Sequence, residues 1–298
     1  MQKQQVRQVK VREKQMKIVF CSTYSGQAGT SSNLAAVAAF VALHSNETGY
    51  LMQAQYQKNH LDEIFIHKDW QETGQQVNGI DSLARIIKSE PITKEMMDSC
   101  SISLCQGKLF LLPATLWNNS DLYETAIDPM LIYCMNAINQ EYDITYMDLG
   151  KVKDFTSNQL LFHADVIVVN LCQNHSVLEE YFTMKHEWKQ KVFYLIGNYD
   201  PISKYNLQYI HRRYHVPMEM MGVLPYNSMF KDACSDGAVV KFLSQIEHST
   251  REEMNYYFIR ELADTVEKLS RHKKKVEELE GKIRRRLGGG VMTRRRNS

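Results

Sequence analysis

The chain lacks several things a 298-residue protein commonly shows. Its six cysteines (Cys21, Cys100, Cys105, Cys134, Cys172 and Cys234) form no CxxC pair. Three lie in or beside apolar runs, which reads as reduced, mostly buried thiols of a cytoplasmic protein. No run of about 18 apolar residues is present, so no membrane span is expected. The N-terminal MQKQQVRQVKVREKQMK has no apolar stretch after its charges and does not read as a secretory signal. Repeats are absent, and so are Gly/Pro/Ser-rich linkers within the core. No Ser-His-Asp or Cys-His arrangement has a spacing that supports nucleophilic catalysis. What is present is a hydrophobic fraction of 44%, with 11 Phe and 16 Tyr. That is enough for a sizeable core, and it excludes global disorder.

The net charge of +2 is unevenly spread. Residues 271–298 hold eleven Lys/Arg against three Glu, and residues 1–17 hold six against one. Removing these excesses of +8 and +5 leaves 18–270 at −11. An acidic globule thus carries a basic arm at each end, a pattern suited to anionic partners.

Short apolar runs alternate with helical patterns along the middle of the chain. Strands are expected at Lys17–Cys21, Tyr50–Gln55, Lys108–Pro113, Ile144–Leu149, Val166–Asn170, Val192–Gly197 and Met220–Leu224. Runs such as KIVF, LFLL, VIVV and VFYLI are continuously apolar, as strands buried on both faces are. Helices are expected at Asn33–His44, Leu122–Gln140, Ser176–Gln190, Ser203–Tyr214 and Ala238–His248. The alternation predicts an α/β, doubly wound, mainly parallel sheet with helices on both faces. After Thr250 one long helical pattern begins, with Tyr257, Phe258, Leu262, Val266 and Leu269 as a stripe that packs on the domain. Val276, Leu279, Ile283 and Leu287 continue it more weakly, and Lys273 and Glu280 at inner positions argue against a coiled coil. The expected divisions are a basic arm (1–15), a main domain (16–250), a C-terminal helix (251–287) and a basic tail (288–298).

The most informative segment is the loop between the first strand and first helix, Cys21-Ser-Thr-Tyr-Ser-Gly-Gln-Ala-Gly-Thr-Ser-Ser-Asn33. Its glycines permit close approach, and a helix N-terminus offers N–H groups to an anion. A plain tight turn uses the same residues. Order along the chain adds to this. The loop, YLMQAQYQKNHLDEIF, YDITYMDLG followed by ADVIVVNLCQN, and VFYLIGNYDP followed by GVLPYN together resemble the MinD/ParA family of deviant P-loop ATPases over residues 16–248. Within it they are most similar to the degenerate TadZ-like proteins of tight-adherence pilus systems. The likeness is one of motif order and spacing, with few identical letters.

That resemblance implies a nucleotide site. Gly26 and Gly29 match family glycines, with Gln27 and Ala28 between them. Ser31 and Ser32 match the Thr pair, whose first member binds Mg²⁺, and Asp148 matches the magnesium-side aspartate. Asn198 and Pro225-Tyr226 fall where the family surrounds adenine. The departures are Thr30 for the phosphate-binding Lys, Ser25 for the signature Lys, and Gln53 and Gln55 for both aspartates of DxD. Phosphoryl transfer depends on charge placed against the phosphates, and these positions carry none. A pseudo-ATPase that holds ATP or ADP with Mg²⁺ weakly, or not at all, is the expectation.

Plainer readings stand beside these. Asp148 could cap the next helix, and Gln53 and Gln55 could be a hydrogen-bonded core pair. His211 and His215 have metal-ligand spacing but no third ligand and basic neighbours, so they read as surface histidines. The function expected is a cytoplasmic positional or scaffolding factor for a membrane secretion or tight-adherence pilus machine. It would be homodimeric and would contact an anionic membrane surface through the C-terminal arm. The alternatives are a slow ParA-type ATPase in DNA or plasmid partitioning, and an interaction module without a nucleotide. The arms lack aromatic interleaving, which places DNA behind membrane.

Overall fold

The computed structural model describes residues 15–24, 26, 28–56, 60–67, 79–117, 119–152, 155–185, 188, 191–251, 253 and 255–289. Ser25, Gln27, residues 1–14 of the N-terminal arm and residues 290–298 of the basic tail lie outside them. Among the described residues eight strands form one sheet: β1 (Met16–Ser22), β2 (Gly49–Gln53), β3 (Ile102–Leu104), β4 (Leu109–Leu111), β5 (Ile144–Lys151), β6 (Val166–Leu171), β7 (Val192–Tyr199) and β8 (Met221–Pro225). Their order is β3-β4-β2-β5-β1-β6-β7-β8, and only the short edge strand β3 is antiparallel to its neighbour. The strands alternate between two cores. Val19, Cys21, Tyr50 and Met147 face one, and Ile18, Phe20, Leu51 and Tyr146 face the other.

Helix α1 (Thr30–His44) is nearly apolar all round because it is enclosed: Ala35, Ala36, Ala38 and Ala39 are almost wholly buried. Small side chains let it lie close between the sheet and the helices outside it. The same face carries α2 (His60–Phe65), α10 (Ser228–Ser235), α11 (Val239–Ile246) and α12 (Tyr256–Gly289). The opposite face carries α3 (Gly79–Ile86), α4 (Lys94–Ser99), α5 (Ser120–Ala126), α6 (Leu131–Glu141), α7 (Phe155–His163), α8 (His175–Thr183) and α9 (Leu207–Tyr214). The doubly wound α/β architecture is therefore as expected.

Several boundaries differ for identifiable reasons. The helix expected over Leu122–Gln140 is two helices joined by a 3-10 turn at Asp128–Met130, because Pro129 lacks an N–H and cannot sit inside a helix. The helix expected over Ser176–Gln190 ends at Thr183, with Met184 extended. Strand β2 ends at Gln53, which leaves Gln55 in the following loop. Strand β3, only three residues long, went unread.

The long helix α12 closes the β8 edge. Thr265 Oγ1 accepts from Val223 N–H and donates to Val223 C=O, both at 2.9 Å. A Cβ at Gly222 would come within 2.6 Å of Thr265, so the glycine lets the helix approach. Edge groups that would otherwise invite strand pairing are thereby satisfied. Phe258, Leu262 and Leu269 are buried as the stripe predicts, and burial continues to His272, Lys273 and Val276. Lys273 tolerates its inner position because its Nζ meets Glu47 Oε1 at 2.6 Å. Among the described residues no helix is long and apolar enough to cross a membrane.

Candidate functional site

Strand β1 lies at the centre, with β5 on one side and β6 on the other. The chain first builds outward past β5 and later past β6, so the sheet changes winding direction at β1. Ligands of open α/β sheets sit beyond the carboxyl ends of strands at that point. The β1–α1 loop emerges there and borders a cleft of about 520 Å³.

The loop contributes Tyr24, Gly26, Ala28, Gly29, Thr30, Ser31 and Ser32 to the cleft. Gly29 is left-handed (φ 63°) and supplies no side-chain cap to α1. Ser32 Oγ donates backward to Gly29 C=O at 3.1 Å. Among the described residues no side chain caps this 15-residue helix, and its first residues, Thr30, Ser31 and Ser32, border the cleft, a setting that favours an anion.

Two buried asparagines hold the loop in place. Asn33 Nδ2 donates to Ala28 C=O at 3.0 Å and to Asn170 Oδ1 at 2.9 Å. Asn170 Nδ2 donates to Cys21 C=O at 3.1 Å. The residues before and after the loop's tip are thus tied to one point on β6. Gly197 on β7 completes the support, since a Cβ there would sit 2.6 Å from Ala28 O. Sequence reading missed all three, although the Gly-Asn at the end of an apolar strand was a visible signal.

The opposite walls come from other strand ends. Asn198 lines the cleft in a left-handed conformation (φ 48°) where the β7–β8 register breaks, and Pro225 lines it from the end of β8. Tyr226 is exposed beside them but is not among the lining residues. Helix α10 adds Phe230, Lys231 and Cys234, and α2 adds Glu63 and Ile64. Burial pushes the Cys234 thiol up to about 12, which leaves it a poor nucleophile.

The acidic and amide positions behave differently. Asp148 is fully buried and is not among the lining residues. Its Oδ1 accepts from Gly150 N–H at 3.0 Å and from Gln55 Nε2 at 3.4 Å. Gln55 does line the cleft, with its amide against Gly150. Gln53 is buried and donates to Asp62 Oδ1 at 3.3 Å. The two glutamines therefore each bond a carboxylate rather than one another. Burial pushes the Asp62 carboxyl up to about 7. Cys21, buried near Asp148, is pushed up to about 12.

A divalent cation needs several oxygen donors, usually carboxylates among them. Ser31 lines the cleft, but Asp148 lies behind Gln55, and the DxD positions are amides. The described residues contain no group of three His, Cys, Asp or Glu able to hold a metal ion. These residues do not fit the Mg²⁺ that the family resemblance implies. They do present a helix start without a side-chain cap, with amide and aromatic residues on the walls of the cleft.

No protein-family model and no curated protein sequence matches the chain. Solved structures do. Over 85% of this chain and 98% of the other, it superposes on a ParA family ATPase from Chlorobium tepidum with a TM-score of 0.66 and 13% identity. The fold is that of the ParA and MinD ATPases. A chain of the MinC:MinD cell division protein complex of Aquifex aeolicus matches with a TM-score of 0.59 and 14% identity, covering 86% of this chain and 95% of that one. The septum site-determining protein MinD of Pyrococcus horikoshii, complexed with Mg-ADP, matches at 0.56 and 12%, over 85% and 96%. At such identities the likeness is one of fold.

Proposed function

We propose that this ParA/MinD-fold chain binds an adenine nucleotide in the cleft at the β1–α1 loop and turns it over negligibly. The carrying observation is the uncapped N-terminus of α1, braced through Asn33 and Asn170, opening into a cleft that Asn198 and Pro225 also border. Negligible turnover follows from the chemistry of the substituted positions. Thr30 brings no charge to the phosphates, and Gln53 and Gln55 cannot act as anionic partners of a metal.

On this reading the protein is a positional or scaffolding factor that uses nucleotide as a structural ligand, and it forms a homodimer. The TadZ-like order of its motifs supports a place in a membrane secretion or tight-adherence pilus machine. The basic C-terminal arm supports contact with an anionic membrane surface, each Lys or Arg contributing about 1 kcal/mol near such a surface.

Turnover tests the reading. Purified protein is expected to release phosphate from ATP no faster than its Asp148→Ala variant. A robust rate that Asp148→Ala abolishes would replace this reading with a working ParA-type ATPase, and DNA partitioning would then be the function to pursue.

A further inference from the structure

We propose that the cleft takes its nucleotide as the metal-free polyanion, with Lys151 and Lys231 supplying the positive charge. The inference rests on the nucleotide reading above and names the form of ligand that this site selects.

The first observation is a screened carboxylate. Asp148 has no exposed surface, and its Oδ1 is engaged by Gly150 N–H and Gln55 Nε2. Gly150 is left-handed (φ 60°), and a Cβ on it would fall 2.2 Å from Gln55 Nε2. The absent Cβ is the space the Gln55 amide fills. A neutral amide donor thus lines the cleft while the carboxylate it bonds does not, and a metal there would need anionic oxygens.

The second observation is where the cations are. Lys151 ends β5 in register with Ser22, the last residue of β1, so it stands beside the root of the loop. It is exposed and lines the cleft. Lys231 projects from α10 on another wall, its Nζ 5.0 Å from the Tyr226 ring centroid. Neither lysine has an ion-pair partner among the described residues, and Glu63 is the acidic residue there that shares the lining. Two ammonium groups and a helix N-terminus around one cleft favour the most highly charged form of a phosphorylated ligand. Magnesium bound to the phosphates would reduce that charge.

The test is calorimetric titration of ADP into the full-length protein, once with excess MgCl₂ and once with excess EDTA. Affinity in EDTA is expected to equal or exceed that in Mg²⁺. Lys151→Ala and Lys231→Ala should each weaken binding about tenfold in EDTA, the size of a lost charge-assisted contact. Lys151→Arg should retain binding. Both lysines are exposed, so unchanged melting temperatures will verify that the variants fold. Binding that requires Mg²⁺, or alanine variants that bind like the parent, would overturn the inference while leaving the nucleotide reading intact. Absence of ADP binding in both buffers would overturn that reading and the inference together.

Discussion

Asp62 carries the clearest pH signature in the structure. Its Oδ2 accepts from Ala114 N–H at 2.9 Å and its Oδ1 from Gln53 Nε2, yet burial still raises its pKa to about 7. A carboxyl whose folded pKa lies above its unfolded value stabilises the fold while protonated. Stability therefore falls as pH rises from about 4 to about 7 and levels off above that. Asp62→Asn removes the ionisation and can offer an N–H to Gln53 Oε1, which has no partner among the described residues. The variant is expected to exceed the parent in unfolding free energy at pH 8 by on the order of 2–4 kcal/mol in chemical denaturation, with the gain vanishing near pH 4. A gain that is the same at both pH values would show that Asp62 is not the titrating group. Gly197→Ala is a second case: its Cβ meets Ala28 O at 2.6 Å, so displacement of the loop should cost about 1–3 kcal/mol in a urea melt. An unchanged midpoint would contradict the close approach. Gly26 and Gly29 were legible because loop and helix are contiguous in sequence. Gly197 and Asn170 act on the loop from distant positions, and only folding brings them to it.

Helix α12 shows what a hydrophobic stripe reveals and what it hides. Phe258, Leu262 and Leu269 were readable from their spacing. Thr265 was not, since its role is defined by two groups of Val223 on an edge strand. Thr265→Val keeps the shape but leaves both groups unbonded, and chemical denaturation should show a loss of about 1–3 kcal/mol. A neutral result would mean that water satisfies them. Lys273 was read only as an argument against a coiled coil; its pairing with Glu47 was hidden because the two residues are 226 positions apart. The split between α5 and α6 was available in the sequence at Pro129, but the apolar periodicity on both sides masked it. Strand β3 is too short to carry a period of its own.

At the scale of the whole molecule, the net charge of +2 combines a strongly basic C-terminal stretch with an acidic middle. The alternating apolar runs made the doubly wound sheet legible, because strands buried on both faces leave continuous apolar segments. The site was legible as a loop and a set of departures from a family pattern. Asn198 and Pro225 were legible in its walls through that pattern, whereas Lys151 and Lys231 border the same cleft only through the tertiary structure. Ending the chain after Leu269 would remove buried Val276 and the Lys273–Glu47 pair, so it is expected to lower the melting temperature. Ending it after Glu278 retains both and should leave the fold intact while abolishing sedimentation with anionic vesicles. Sedimentation that survives the second truncation would assign membrane contact to another surface. The cleft itself decides the central claim, and direct calorimetry of ADP binding to the parent chain and to Gly29→Asp addresses it. The account predicts one ADP per chain for the parent and none for Gly29→Asp, whose carboxylate would occupy the anion cradle. Equal binding by both proteins, or no heat from the parent at millimolar ADP, would contradict it.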